Sequence, residues 1–206
     1  DWTEGWRGKA QFVVVQHYDD DSDNGIEADN NGDDNAAQPR SKPTIYNITL
    51  IGSPNSAKSD IGMLLREGTA ASIHNAIIMS FNEACLNIDQ AETFTNAWDA
   101  ANSKLNGELQ LTHSLLSCAK SFKEDAADLF SVSDFFNTLN AGNQVTDPML
   151  EKPTDTAAPN FLPKAGSPAR TGGLEATDPF FTKVTFRGGV DPSDDWTKGW
   201  TTTARK

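Results

Sequence analysis

Acidic residues between positions 17 and 35 form the densest group of potential metal ligands in this sequence. The oxygen-bearing candidates are Asp19, Asp20, Asp21, Asp23, Asn24, Glu27, Asp29 and Asp33. Hard cations such as calcium bind six to eight oxygens from side chains of these types. The opening of an EF-hand loop is matched by Asp20, Ser22, Asn24 and Gly25, but Asn31 stands where that loop needs a bidentate Glu. A calcium site of another kind and a solvated acidic turn both remain open.

Two copies of one hexapeptide, Asp-Trp-Thr-x-Gly-Trp, carry most of the tryptophan in the chain. The copies occupy residues 1–6 and 195–200 and differ only at Glu4 and Lys198. We favour a turn in which Gly supplies an unusual dihedral angle and each Trp covers the edge of the core. The alternative is a sugar-stacking platform, whose residues would be Trp2, Trp6, Trp196 and Trp200.

No catalytic group stands out elsewhere. A polysaccharide lyase or hydrolase needs paired carboxylates, or calcium-bound uronate beside an Arg or Lys base. Arg66, Glu67 and Asp89 follow strand-like runs, but their pattern is equally typical of a surface ion pair. The three histidines, His17, His74 and His113, lie far apart and do not have zinc-ligand spacing. The sequence therefore favours a non-enzymatic protein but leaves enzymatic activity open.

Composition favours a protein of the cell exterior. The 206 residues carry a net charge of −12, which disfavours binding to nucleic acid or to anionic membrane surfaces. No apolar run approaches the length of a transmembrane segment. The chain starts with Asp1, so we expect a processed protein or a fragment of a longer one. Cys85 and Cys118 could form a disulfide or remain two buried thiols, and the sequence leaves both open.

Short runs of β-branched and aliphatic residues, punctuated by Gly, Asn and Asp, predict strands. The runs cover residues 12–15, 25–28, 45–51, 62–66, 73–79, 85–89 and 109–116. Segments 45–50, 73–78 and 111–116 share one pattern, in which an apolar residue and two mostly polar residues precede a return to apolar ones. Imperfect strand repeats of this kind are typical of a solenoid.

The predicted fold is therefore all-β, a parallel β-helix with short helical insertions. A β-sandwich is the competing fold, but most connections are too long for hairpins. Residues 1–145 are predicted to form the rungs, with helical insertions near 92–105 and 121–140. Residues 146–206 are predicted to be an extended C-terminal segment, with a terminal strand at 180–188, that packs on the solenoid.

Several motifs together resemble one family of bacterial secreted or lipid-anchored surface proteins, predicted to be right-handed parallel β-helices. The resemblance is carried by segments 1–9, 25–30, 62–69 and 178–200, and segment 160–169 is similar to the tail that ends many β-helix proteins. It implies that this chain is the C-terminal part of a longer protein with further rungs upstream. The family brings no activity with it.

These observations predict a secreted or cell-surface β-helix protein with a structural, adhesive or assembly role, stabilised by calcium if the acidic run holds the ion. The alternative is a carbohydrate-binding or polysaccharide-degrading β-helix. The expected partners are a second copy of the chain, upstream rungs of the same protein, or a polysaccharide. Nucleic acid is not expected, and neither is a membrane-spanning segment.

Overall fold

The computed structural model describes residues 1–20, 22–125, 128–199 and 201–203. Strands dominate the described residues. They are β1 (Lys9–Gln16), β2 (Ile26–Ala28), β3 (Thr44–Ile51), β4 (Ile61–Leu65), β5 (Ala71–His74), β6 (Ile77–Met79), β7 (Ala84–Ile88), β8 (Trp98–Asp99), β9 (Lys104–Leu105), β10 (Leu109–Thr112), β11 (Leu115–Ser117), β12 (Phe122–Lys123), β13 (Gln144–Val145), β14 (Leu150–Lys152) and β15 (Asn160–Pro163). The described residues also form two α-helices, α1 (Ala91–Ala97) and α2 (Val132–Asp134). A π-helical turn at Phe135–Leu139 directly follows α2, and a 3-10 turn lies at Pro168–Arg170.

Most strands belong to two parallel sheets, and the chain alternates between them. In the described part of the chain, the larger sheet has seven strands in the order β10-β5-β3-β6-β11-β13, with β1 paired to β3. The smaller sheet has four, in the order β12-β7-β4-β2. Every pairing within these two sheets is parallel, so each strand pairs with one from a later or earlier circuit of the chain. The seven strand runs predicted between residues 12 and 116 are confirmed, with runs 73–79 and 109–116 each divided into two strands. A hairpin-built sandwich does not fit this pairing.

The core between the sheets is built from ladders of aliphatic side chains. Val15, Leu50, Ile78 and Leu116 lie in register across four neighbouring strands of the larger sheet. On the smaller sheet the ladder of Ile26, Met63 and Leu86 packs into the same core. Burial of one such side chain stabilises the fold by about 1.5–3 kcal/mol. A rung alone could not bury these residues, so each rung depends on its neighbours.

The repeated sequence pattern marks a bend in the larger sheet. Phe12, Asn47, Asn75 and His113 occupy equivalent positions on neighbouring strands, and their φ angles are 58°, 56°, 60° and 52°. This left-handed conformation is unfavourable for most side chains, and Asn and His are enriched in it. The bend separates β5 from β6 and β10 from β11. The second of the two polar residues in the repeat therefore reflects a backbone requirement of each rung.

The first helical insertion is shorter than the sequence predicts. Helix α1 ends at Ala97, and Trp98–Asp99 pairs antiparallel with Lys104–Leu105. The Asp99 carboxylate accepts the backbone N–H groups of Ala101 and Asn102 at 3.2 and 3.3 Å. Such local side-chain hydrogen bonds stabilise a turn at the expense of a helix. The helical spacing of apolar residues persists through the turn, so periodicity alone did not reveal where the helix ends.

The second insertion closes one end of the core with aromatic rings. Ser131 caps α2 by accepting the Asp134 N–H at 2.9 Å. The helical residues then extend to Leu139. Buried rings from both insertions form one cluster that includes Phe94, Phe130, Phe135 and Phe136. Covering the last rung in this way protects the apolar end of the sheets.

Residues 146–199, here called the C-terminal segment, lie against the outer face of the larger sheet. Phe161 and Val190 of this segment form a second buried cluster with Ile77 and Leu115 of the sheet. Residues 180–188 form no strand, which differs from the terminal strand that the sequence predicts. None of the helices in the described residues has the length and apolar character needed to cross a membrane.

Candidate functional site

The described carboxylates of the acidic run contact several separate parts of the fold and do not converge on one point. Glu27 and Asp29 both pair with Arg66, whose Nε lies 2.8 Å from an Asp29 oxygen. This hydrogen bond raises the pKa of the Arg66 guanidinium above its usual value. Asp19 instead accepts the Ser53 hydroxyl on the neighbouring loop. These carboxylates therefore tie adjacent rungs together.

The other described residues of the loop make local contacts or are exposed. Asn24 donates to Glu27 at 3.1 Å, and the backbone N–H of Asp33 donates to the Asn31 side chain at 2.9 Å. Asp20 and Asp23 are exposed, and Asp21 lies outside the described residues. Across the described residues, no three His, Cys, Asp or Glu side chains lie close enough together to hold a metal ion. Calcium binding by this loop stays a prediction from the sequence.

The first tryptophan of each hexapeptide is anchored through its indole N–H. Trp2 is only 6% exposed and donates to the Thr69 hydroxyl at 3.0 Å. Trp196 packs against the cluster beneath the C-terminal segment and donates to the Gly189 carbonyl at 2.6 Å. The Trp2 side chain is therefore buried in the core, whereas Trp196 is partly exposed.

The fifth position of each copy confirms the predicted backbone requirement. Gly5 and Gly199 have φ angles of 81° and 87°, a conformation that costs glycine little. The two copies are thus turns anchored by a tryptophan. Trp6 is 42% exposed, and Trp200 lies outside the described residues.

Glu67 and Asp89, the other residues that the sequence offers for catalysis, also make local structural contacts. Glu67 follows Arg66 in a left-handed turn, and burial together with the nearby Asp29 carboxylate raises the pKa of Glu67. Asp89 accepts the backbone N–H of Gln90 at 2.8 Å at the start of α1. The structure does not bring Asp89 into the ion pairs of Arg66.

The two cysteines form a disulfide, which decides between the alternatives that the sequence leaves open. Cys85 lies on β7 in the smaller sheet, and Cys118 directly follows β11 in the larger sheet. Their Cα atoms are 5.5 Å apart, within the usual range for a disulfide. The bond therefore links the two sheets across consecutive rungs.

His74 is buried on the outer face of the larger sheet beneath the C-terminal segment. Its ring contacts Tyr46 at 4.5 Å, and Nδ1 lies 2.7 Å from the Thr112 hydroxyl. Burial lowers the pKa of His74 from 6.5 to about 4, and the neighbouring His113 acts in the same direction. His74 therefore stays neutral in the folded protein at mildly acidic pH.

Stability is expected to fall as the pH decreases from 6.5 to about 4, because the unfolded imidazole takes up a proton before the folded one does. The full effect is about 3 kcal/mol in the free energy of unfolding. Denaturant unfolding across this pH range measures it. His74→Asn, which keeps a polar group facing Thr112 but does not titrate, should flatten the profile. An equally steep profile in this variant would assign the pH dependence to other groups.

An open groove lies between β1 and the C-terminal segment, and we call it the aromatic groove. Its volume is about 400 Å³, and it is lined by Phe12, Thr182, Val184, Phe186, Asp191, Asp194 and Trp196. The rings of Phe12 and Phe186 stack with centroids 6.0 Å apart and planes 21° apart. Aromatic faces pack against the C–H faces of sugar rings, and carboxylates accept hydrogen bonds from sugar hydroxyls. The arrangement can therefore hold a saccharide.

Paired hydrogen bonds hold the groove wall against β1. The side chain of Gln11 donates to the Thr182 carbonyl and accepts the Thr182 N–H, both at 2.8 Å. The Asn47 amide donates to the Phe186 carbonyl at 2.9 Å. Both Gln11 and Asn47 belong to the bend region of the larger sheet, so the sheet sets the position of the wall.

The same bend fixes the rest of the wall through Asn75. Its amide donates to the Leu174 carbonyl at 3.0 Å and accepts the Leu174 N–H at 2.7 Å, while its backbone carbonyl accepts the Gly188 N–H at 2.7 Å. Arg187 is almost fully buried and donates to backbone carbonyls, including those of Gly142 and Gly172. The left-handed bend residues thus dock the segment that carries most of the groove.

Comparison with known families agrees with this architecture. The sequence model for the pectate-lyase-like beta-helix domain matches residues 1–201. The chain belongs to this family. Neither a curated protein nor a solved structure matches the chain. The parallel sheets are thus those of a β-helix, and the groove is a feature of this β-helix domain.

Of the groove residues of the β-helix domain, sequence reasoning identified only Trp196. Asp191, Asp194 and Phe186 lie in a segment without regular structure, and their approach to Phe12 depends on contacts across nearly the whole chain. The sequence carries one signal for the groove, an aromatic residue at a repeat position that is Asn in the next two rungs. Phe12 occupies the left-handed position that Asn47 and Asn75 fill in the next two rungs, and an aromatic residue there is costly. Strain of this kind is concentrated at functional sites.

Proposed function

We propose that this β-helix domain is a non-enzymatic secreted or cell-surface protein with an adhesive role, and that it holds a polysaccharide in the aromatic groove. The observation that carries the proposal is the groove itself, where two stacked rings and an anchored tryptophan lie beside two carboxylates. Its size is within the range of ligand sites. Docking of the wall by Gln11, Asn47 and Asn75 makes the site largely preformed, which reduces the entropic cost of binding.

The proposed architecture is a right-handed solenoid in which the two parallel sheets are faces of successive turns. Alternation of the chain between the sheets supports this winding, and crossover connections between parallel strands are right-handed almost without exception. Such a solenoid would provide a rigid support for a surface site. The Cys85–Cys118 disulfide supports a secreted or cell-surface location, because disulfides persist in oxidising compartments.

A glycan array with the folded chain tests the adhesive role, and an assay for unsaturated products from acidic polysaccharides tests the degrading alternative. That alternative is favoured by Arg66, which directly follows β4 of the smaller sheet and pairs with both Glu27 and Asp29. Binding without turnover is the expected result. Turnover of a polysaccharide would contradict the non-enzymatic proposal, and binding to no glycan would contradict adhesion.

Phe12→Asn is expected to weaken polysaccharide binding about tenfold, through loss of about 1.4 kcal/mol of ring contact. Stability should change by less than about 1 kcal/mol, because relief of the left-handed strain offsets the lost stacking on Phe186. Affinity electrophoresis and thermal unfolding measure the two effects. Phe180→Asn is the matched control, since Phe180 is 59% exposed and does not line the groove. Equal loss of binding in both variants would contradict the assignment.

An assembly role is the second candidate, and the edge of the larger sheet favours it. Among the described residues, the strand partner of β1 is β3 alone, so one edge of an eight-residue strand is open. Open edges pair readily with other strands, and a further rung or a second copy of the chain would fit the parallel pattern. Concentration-dependent association in sedimentation velocity is the expected result. A monomer at all concentrations would contradict assembly by the chain alone.

A further inference from the structure

The geometry points to a ligand class for the aromatic groove: a polysaccharide that carries protonated amino groups, such as a polymer of 2-amino-2-deoxy sugars. This inference rests on the proposed function, which assigns the groove to a polysaccharide. It goes beyond that proposal because it predicts which charge the ligand bears. Three independent features of the described residues favour a cation, namely the carboxylates at the groove, its aromatic walls and the charge of the whole chain.

The carboxylates belong to a tight turn beside the groove. The Asp194 N–H donates to the Asp191 carbonyl at 3.1 Å and closes the turn. One oxygen of Asp191, Oδ1, accepts the N–H and the hydroxyl of Ser193 at 2.8 and 2.6 Å. Those bonds fix the orientation of the Asp191 carboxylate without neutralising its charge. Within the described residues, neither Asp191 nor Asp194 forms an ion pair with Lys or Arg.

Seven carboxylates of the described residues form an ion pair, and those of Asp191 and Asp194 are not among them. Glu27 and Asp29 share Arg66, and Asp178 pairs with Lys9. At the groove the nearby guanidinium of Arg170 is directed to backbone oxygens, those of Pro163 and Pro192, at 3.0 and 3.4 Å. The two groove carboxylates are therefore available to a cation supplied by a ligand.

The walls add to this preference. An ammonium group within about 6 Å of an aromatic face is attracted by the ring electrons, and the groove offers rings from Phe12, Phe186 and Trp196. The net charge of −12 attracts cations at longer range and repels polyanions. A uronate polymer would meet like charge both at the groove and across the surface. A neutral sugar could stack on the rings but would gain nothing from the charges.

Three oligosaccharides of equal length test the inference by isothermal titration calorimetry at mildly acidic pH. They are an oligomer of glucosamine, its fully N-acetylated counterpart and an oligogalacturonate. We expect the glucosamine oligomer to bind about tenfold more tightly than the neutral one, since two exposed charge contacts contribute about 1.4 kcal/mol together. This advantage should shrink with added salt, and oligogalacturonate should not bind.

Asp191→Asn combined with Asp194→Asn should remove the preference, so that the glucosamine and N-acetylated oligomers bind alike. Asp147→Asn combined with Asp155→Asn is the matched control, since it removes two charges away from the groove and should retain the preference.

Equal binding of both oligomers to the wild-type chain would overturn the charge inference while leaving adhesion intact. Binding of oligogalacturonate alone would overturn it as well. If no saccharide of any charge binds here or on an array, the proposed function itself fails. Circular dichroism verifies that each variant is folded.

Discussion

Alanine at both Cys85 and Cys118 is expected to lower the free energy of unfolding by about 4 kcal/mol, the largest effect that the structure predicts for stability. The disulfide closes a loop with a sequence separation of 33, and in the chain-entropy account a loop of that size contributes about 4 kcal/mol. For a chain of this length the melting temperature should fall by roughly 10 °C. Thermal unfolding followed by circular dichroism measures the change.

Reduction of the wild-type chain provides the control. A reducing agent should lower its melting temperature by about the same amount and should have no effect on the double variant. Because Cys85 is completely buried, alanine is preferable to serine, which would place an unpaired hydroxyl in the core. A melting temperature that is insensitive to reduction would show that the bond does not hold the two sheets together.

Asn75→Ala is expected to cost about 3 kcal/mol of stability and to weaken polysaccharide binding, although Asn75 does not line the aromatic groove. The substitution leaves the Leu174 N–H and carbonyl without their side-chain partners, at about 1 kcal/mol each. Alanine in the left-handed conformation adds about 1 kcal/mol. Loosening of the C-terminal segment should then displace Phe186 and Trp196, which form the groove wall.

Asn75→Gly separates the two causes, since glycine removes the hydrogen bonds but tolerates the left-handed backbone. It should be about 1 kcal/mol more stable than the alanine variant, yet bind polysaccharide as weakly. Denaturant unfolding and calorimetric titration of both variants give the comparison. Wild-type affinity in both variants would show that the bend residues do not position the groove.

The all-β class, the strand positions between residues 12 and 116 and the turns at Gly5 and Gly199 could be predicted from the sequence because each depends on local chemistry. Alternating aliphatic residues predict a strand wherever they occur. The repeated polar pair was visible too, but the left-handed conformation of its second residue, as at Asn47 and Asn75, became clear only with the backbone angles. The pairing of Cys85 with Cys118 required the register between rungs, which no local pattern supplies.

The aromatic groove could not be predicted because its residues meet only through the tertiary fold. Phe12 lies on the first strand, whereas Asp191 and Trp196 lie near the end of the chain. Residues 180–188 are held on the sheet by bonds to side chains such as Gln11 and Asn47, and this kind of docking leaves no periodic signal. The acidic run was conspicuous in the sequence, yet Glu27 and Asp29 serve to hold Arg66.

The central claim is that the aromatic groove binds polysaccharide, and Trp196→Ala tests it most directly. The measurement is an equilibrium titration of wild-type and variant chains with the oligosaccharide that binds best on the array. We predict at least a tenfold loss of affinity, because a buried aromatic contact in a binding site contributes about 2 kcal/mol. Trp6→Ala, which removes the exposed tryptophan of the other hexapeptide, should bind as the wild type does. Unchanged affinity in folded Trp196→Ala, or an equal loss in Trp6→Ala, would contradict the claim.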